Sequence, residues 1–205
     1  MMSTAREAKK AELKKRLIDA AEAEIIEHGL AGLKARAVTA RAGCALGSLY
    51  TVVEDLDMLV IEVNSRTLTE LGETLTEAVT QAGDTPQHAL QALALRYADF
   101  AIAHQPLWLS LFEHRLPEGQ DIPEWHKQEH AVLVEVIAPH LAKLRPDMTH
   151  EALILRTRTT FAAVHGVVYL ALQGRFVGVP MEALKSEISG LVETMTAGAA
   201  QIVQA

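Results

Sequence analysis

The stretch that decides the fold is Ala42-Gly43-Cys44-Ala45-Leu46-Gly47-Ser48-Leu49-Tyr50. It joins two short segments of helical spacing. Lys34 to Ala42 puts Ala35, Val38 and Ala42 on one face, and Leu46 to about Val52 turns Leu49 inward, with Val53 behind it. Gly43 can take the left-handed conformation of a tight turn, and a small apolar residue, Cys44, follows it. Val38, Cys44 and Leu49 then plug the angle between the two helices. This pattern predicts a helix-turn-helix, whose second helix is left free to lie in a DNA major groove about 12 Å wide.

Helical spacing continues on both sides. Upstream, Leu13, Leu17, Ala20, Ala21 and Ile25 share one face of a helix that should end near His28, before Gly29. Downstream, Asp55 can cap a helix running to about Gln81, and Gly83-Asp84-Thr85-Pro86 breaks it. Further helices follow from Pro86, from Pro106, over Glu124–Lys143 with a kink or break at Pro139, over Thr149–Arg175, and over Met181–Val203. Strand signals are nearly absent. The reading is an all-α chain of about nine helices, with a boundary near Val53–Asp57 that separates residues 1–54 from 55–205.

The chain has 205 residues, 49% hydrophobic and 22% charged, which suits a globular protein with an ample core. The net charge is -7, unevenly placed: residues 1–50 carry nine Lys/Arg against six Asp/Glu, and residues 51–205 carry ten against twenty. Arg6, Lys9, Lys10, Lys14, Lys15 and Arg16 cluster, as suits either a polyanion or a solvated helix face. The longest uncharged stretch, Thr159–Gly174, is shorter than the roughly 20 apolar residues of a membrane span. With a charged N-terminus and one cysteine, Cys44, the expectation is a soluble, cytoplasmic protein without membrane contact.

Catalytic and metal chemistry find little support. His126 and His130 are four apart on one helix, but no third ligand can be located. Ser110 and His114 share that spacing without a third partner, and no phosphate-cradling loop or paired carboxylates are visible. No enzyme activity, metal or cofactor is expected.

The segment Leu13 to Leu59 resembles the tetracycline-repressor-like (TetR) family of transcriptional regulators. The likeness rests on Leu17-Ile18-Asp19-Ala20-Ala21, Glu27-His28-Gly29-Leu30, Val38, Ala42-Gly43, Gly47-Ser48-Leu49-Tyr50 and Leu59. It implies an N-terminal DNA-binding domain, a C-terminal bundle for ligand binding and dimerisation, and a set of DNA contacts. Lys34 and Arg36 would open the second helix, and Leu46, Gly47 and Ser48 the recognition helix. Tyr50 and Thr51 would offer hydroxyls to phosphates, and Arg6, Lys9 and Lys10 would form an arm over flanking phosphates.

The chain departs from the family pattern at Lys34, Thr39 and Leu56; the family usually carries a lysine where Leu56 stands. The local run here is Glu54-Asp55-Leu56-Asp57.

The aromatics Tyr97, Phe100, Trp108, Phe112, Trp125 and Phe161, with His126 and His165, are core residues or walls of an effector cavity. The two C-terminal helices, rich in Ala, Val and Leu, suit a two-fold dimer interface. The resulting expectation is a homodimeric regulator, by family default a repressor. It would bind a pseudo-palindromic double-stranded DNA operator and be released by a small, mostly apolar effector. The other reading is a helical ligand- or partner-binding protein that kept the scaffold and lost DNA contact.

Overall fold

Eleven α-helices and one 3-10 turn make up the computed structural model, which describes residues 2–202; no strand occurs among them. In order the helices are α1 Met2–His28, α2 Ala35–Arg41, α3 Leu46–Leu49, α4 Leu56–Ala82, α5 Pro86–Ala103 and α6 Gln105–Glu113. They continue with α7 Glu124–Glu129, α8 Val132–Glu135, α9 Ala138–Leu144, α10 His150–Leu172 and α11 Leu184–Ile202. The all-α class expected from the pattern holds. The expected end of the last helix, Val203, lies outside the described residues.

Local chemistry explains most boundaries. Gly29, with φ 69°, closes α1. Asp55 Oδ1 accepts from the Met58 amide at 2.7 Å and so starts α4, as a capping carboxylate does. Pro86 occupies the first turn of α5, where a missing N–H costs nothing. Thr149 caps α10 by accepting from the Ala152 amide at 3.3 Å, and Gly174, with φ 59°, follows its end.

Some boundaries differ from the sequence reading. The stretch Glu124–Lys143 is three short helices, which raises the count to eleven among the described residues. α8 stops at Glu135, four residues before Pro139, because the proline ring leaves that carbonyl without its helical donor. The recognition segment is helical only from Leu46 to Leu49. Beyond it the Thr51 and Val52 amides reach back three residues, to Ser48 and Leu49, in tighter turns. The β-branched run Thr51-Val52-Val53 suits that departure from α-helix. Leu30–Gly32 forms a 3-10 turn that the spacing does not announce.

The chain divides into two compact packing units. One comprises the residues up to Thr69 together with Pro106–His126; the other comprises Glu70–Gln105 and the residues from Lys127 on. The expected boundary near Val53–Asp57 follows helix length and charge; by packing, the first half of α4 and α6 from Pro106 on join the N-terminal helices. The shared core explains this: Leu17, Ala21 and Ile25 of α1 pack with Val38, Leu49, Leu59, Val63 and Leu107. In the second unit Leu71, Leu75, Ala98, Val168, Leu184 and Ile188 are buried.

A polar clasp ties α4 to α6 in the first unit. The Ser110 hydroxyl donates to Asn64 Oδ1 at 2.8 Å, and Asn64 Nδ2 donates to the Ser110 carbonyl at 3.2 Å. Both residues are buried. We expect Asn64→Leu alone to cost about 1–3 kcal/mol, because the hydroxyl is left without its acceptor. Asn64→Leu with Ser110→Ala should cost less than the sum of the two single changes. A double-mutant cycle in urea checks this, and strictly additive losses would contradict it.

Candidate functional site

The turn between α2 and α3 is built from backbone hydrogen bonds. The Gly43 amide donates to the Ala40 carbonyl at 3.1 Å, and the Cys44 amide to the Thr39 carbonyl at 3.0 Å. With Gly43 at φ 65°, this is the Schellman arrangement that ends a helix and redirects the chain. Cys44 packs against the cluster that contains Val38 and Leu49. Thr39, where the family pattern prefers a small residue, is buried with its hydroxyl donating to the Ala35 carbonyl at 2.9 Å.

One side of this motif is locked down. The guanidinium of Arg41 donates from Nε to Glu24 at 2.8 Å and through its two terminal nitrogens to Glu27 at 2.8 and 2.6 Å. The Arg41 hydrogen bond holds the Glu27 carboxyl below its usual range, and both carboxylates push the Arg41 pKa up. Glu24 is buried, so the pair fixes the end of α2 on α1. Lys14 likewise pairs with Glu62 at 2.6 Å, and Arg66 with Asp19 and Glu22.

The other side is open. Lys34, Arg36, Gly47 and Thr51 are exposed, Leu46 is 39% exposed and Tyr50 is 54% exposed; Ser48 is half-buried. The Thr51 hydroxyl donates to the Ser48 carbonyl at 2.7 Å, so its proton is already engaged. Arg6, Lys9 and Lys10 are exposed on α1 itself. The expected N-terminal arm thus lies in the first turns of α1, for Ala5-Arg6-Glu7-Ala8-Lys9-Lys10 are all strong helix formers.

The acidic run after α3 has structural uses. Asp55 caps α4 and also accepts from Gln120 Nε2 at 3.1 Å, while Asp57 faces His114 Nε2 at 3.0 Å. Ser110 and His114 are thus each engaged with α4.

The second unit holds an apolar cavity of about 40 Å3. Most of its wall is aliphatic, including Leu90, Leu93, Ile137, Leu141, Val164 and Val192. Tyr97 and Phe161 also line it. His165 stands next to them: the Tyr97 hydroxyl is 2.7 Å from its Nδ1, and its ring stacks between Phe161 and Tyr169, one turn away on either side of α10. The remaining proposed walls lie elsewhere. Phe100 is buried against His104, and Trp108, Phe112, Trp125 and His126 belong to the first unit. Aromatic type gave no clue to which unit would hold them, and the aliphatic lining carries no sequence mark that separates it from core.

Burial pushes the His165 pKa down, so the ring is neutral near pH 7. The unfolded imidazole takes up a proton below about pH 6.5, before the folded one does. Stability therefore falls as the pH drops below that value. His140, lowered by burial and by Lys143, contributes in the same direction. Urea midpoints at pH 7.5 and 5.5 should differ less in His165→Gln than in the unaltered protein; an equal difference would contradict the assignment.

No group of three or more His, Cys, Asp or Glu placed to hold a metal ion occurs among the described residues. No helix among them is long and apolar enough to cross a membrane.

Comparison with solved structures agrees with this architecture. The chain is similar to a protein with unknown function from Rhodococcus sp. RHA1, at 23% identity over 90% of this chain and 95% of that one, with a TM-score of 0.70. A TetR-family transcriptional regulator from Streptomyces coelicolor matches at 22% identity over 91% and 99% of the two chains, with a TM-score of 0.66. The transcriptional regulator FadR from Bacillus subtilis, solved in complex with stearoyl-CoA, matches at 14% identity over 87% and 96%, with a TM-score of 0.67. At such identities the likeness is one of fold. No curated protein matches the chain significantly. The family model for the tetracyclin repressor-like C-terminal domain matches residues 90–195, just over half of the chain. With that match behind the helix-turn-helix and the all-helical architecture, the chain belongs to the TetR family, a family of transcriptional regulators and not of enzymes.

Proposed function

We propose that this protein is a ligand-responsive repressor that binds a pseudo-palindromic operator as a homodimer and is released by a small, mostly apolar effector. In this reading residues 1–54 read DNA, and residues 55–205 bind the effector and dimerise. The observation that carries it is the asymmetry of the α2–α3 motif. Leu49 is fully buried while Leu46, Gly47 and Tyr50 face outward, so the motif is held from within and presented from without. Two-fold symmetry would space the recognition segments by about 34 Å, one helical turn of DNA, or a multiple.

The acidic run Glu54-Asp55-Leu56-Asp57 is the motive for the other reading, in which DNA contact is lost. Its two aspartates have partners within the fold, which weakens that motive. Since α3 carries no Lys or Arg, base reading would rest on Arg36, Ser48, apolar contacts and DNA shape. The effector part is supported by the apolar cavity and by the FadR structure, which shares the fold and was solved with stearoyl-CoA. Effector and DNA favour different members of one conformational equilibrium, and α4, which contributes residues to both packing units, is the proposed relay.

Gly47 offers a test that separates folding from DNA contact. A Cβ built there meets nothing within 4 Å, so Gly47→Ala has room and gains up to about 1 kcal/mol of helix propensity. On DNA the added methyl would hold the backbone away. The expected result is an unchanged or raised melting temperature with weakened operator binding, the operator being selected first from a random DNA pool. Recovery of no sequence from that pool, at low salt, would overturn the DNA-binding reading.

A further inference from the structure

Thr196 lines two openings at once. On its inner side is the apolar cavity, which α11 meets with Val192, Met195 and Thr196 and α5 meets with Leu90, Ala94 and Tyr97. On its outer side is a groove of about 420 Å3, lined by Gln87, His88 and Gln91 of α5 and by Glu193, Thr196 and Ala197 of α11. Helical spacing produces both walls. Residues 192, 195 and 196 share one stripe of α11, and 193, 196 and 197 share the adjacent stripe, so Thr196 stands where the two meet.

The two compartments differ in chemistry. No charged side chain lines the cavity. Its threonine hydroxyls donate to carbonyls of their own helices, Thr160 to Arg156 at 2.9 Å and Thr196 to Val192 at 2.8 Å, and the Tyr97 hydroxyl is bonded to His165. Nothing there can pair an ion, and burying one unpaired is costly. The groove instead offers two amides, an imidazole and the carboxylate of Glu193. Residues 51–205 carry twenty acidic side chains against ten basic, a field that disfavours an anion.

We propose that the effector is an amphiphile. Its apolar tail passes Thr196 into the cavity, and its hydroxyl, amide or ammonium head stays in the groove beside Glu193; carboxylate heads are disfavoured. This rests on the ligand-responsive reading above and adds the point of entry and the head-group chemistry.

The test is calorimetric titration of the full chain with octylamine, octanol and octanoate. Octylamine should bind most tightly and octanoate least. At about 40 Å3 the cavity is filled by about two methylenes, so the gain of about fourfold per buried methylene should stop there and longer tails should add little. Glu193 is exposed, so Glu193→Gln spares the fold. It should cut the preference for octylamine over octanoate by about two- to fivefold, the range of an exposed ion pair. Glu182→Gln, at another exposed carboxylate, should leave that preference unchanged. Thr196→Leu should weaken all three ligands alike; because Thr196 is buried, the Glu193 variant decides if this one does not fold. Octanoate binding as tightly as octylamine, a preference indifferent to Glu193→Gln, or no binding of any of the three overturns the proposal. Operator release is read separately: binding in the expected order without release supports the site and tells against the ligand-responsive reading.

Discussion

Leu49→Ala is expected to lower the stability of the helix-turn-helix unit by about 2–5 kcal/mol and to abolish operator binding with it. Leu49 is 0% exposed and packs in one core with Leu17, Ile25, Val38 and Leu59. α3 has only four residues and cannot hold itself together by its own hydrogen bonds. Its place depends on this side chain, and truncation leaves a void that the surrounding helices cannot fill. Urea unfolding followed by circular dichroism measures the loss. Tyr50→Phe, at an exposed neighbour, is the control and should leave stability unchanged. A loss below about 1 kcal/mol for Leu49→Ala would mean that the site collapses freely and that α3 is positioned by something else.

Arg36→Ala should act the other way round, sparing the fold and weakening DNA binding. Arg36 is exposed at the start of α2. Loss of one arginine–base or arginine–phosphate contact costs about 1–3 kcal/mol, and the proposed dimer loses two, so operator affinity should fall at least about thirtyfold. Fluorescence anisotropy with the selected operator measures this. The contrast with Arg41 is instructive. Arg41 lies on the same helix but is occupied by Glu24 and Glu27, so Arg41→Ala should lower the melting temperature before it alters sequence preference. Full affinity in Arg36→Ala would remove that residue from the site.

Elements marked by a single residue with a single backbone consequence were legible in the sequence. Gly43 announces the turn, Asp55 the start of α4, Pro86 the start of α5 and Gly29 the end of α1. What escaped depends on tertiary packing. The break between α7 and α8 has no glycine or proline; there the Ala131, Leu133 and Val134 amides reach back three residues and tighten the chain. The cavity wall escaped for a related reason. Leu90, Leu141 and Val192 follow the same spacing as core residues, and only the gap between helices distinguishes them. Among the aromatics, Tyr97 and Phe161 reach the cavity while Trp108 is fully buried in the other unit, a partition set by chain topology and not by residue type.

The Arg41 clamp and the buried Leu49 hold the unit, and Leu46, Gly47 and Tyr50 stand outside its core. Those three positions are therefore free to be rewritten. A library randomised there should remain folded almost throughout while its members diverge in the duplexes they prefer, so that new addresses on a chromosome can be acquired by a few outward-facing replacements without renegotiating the scaffold.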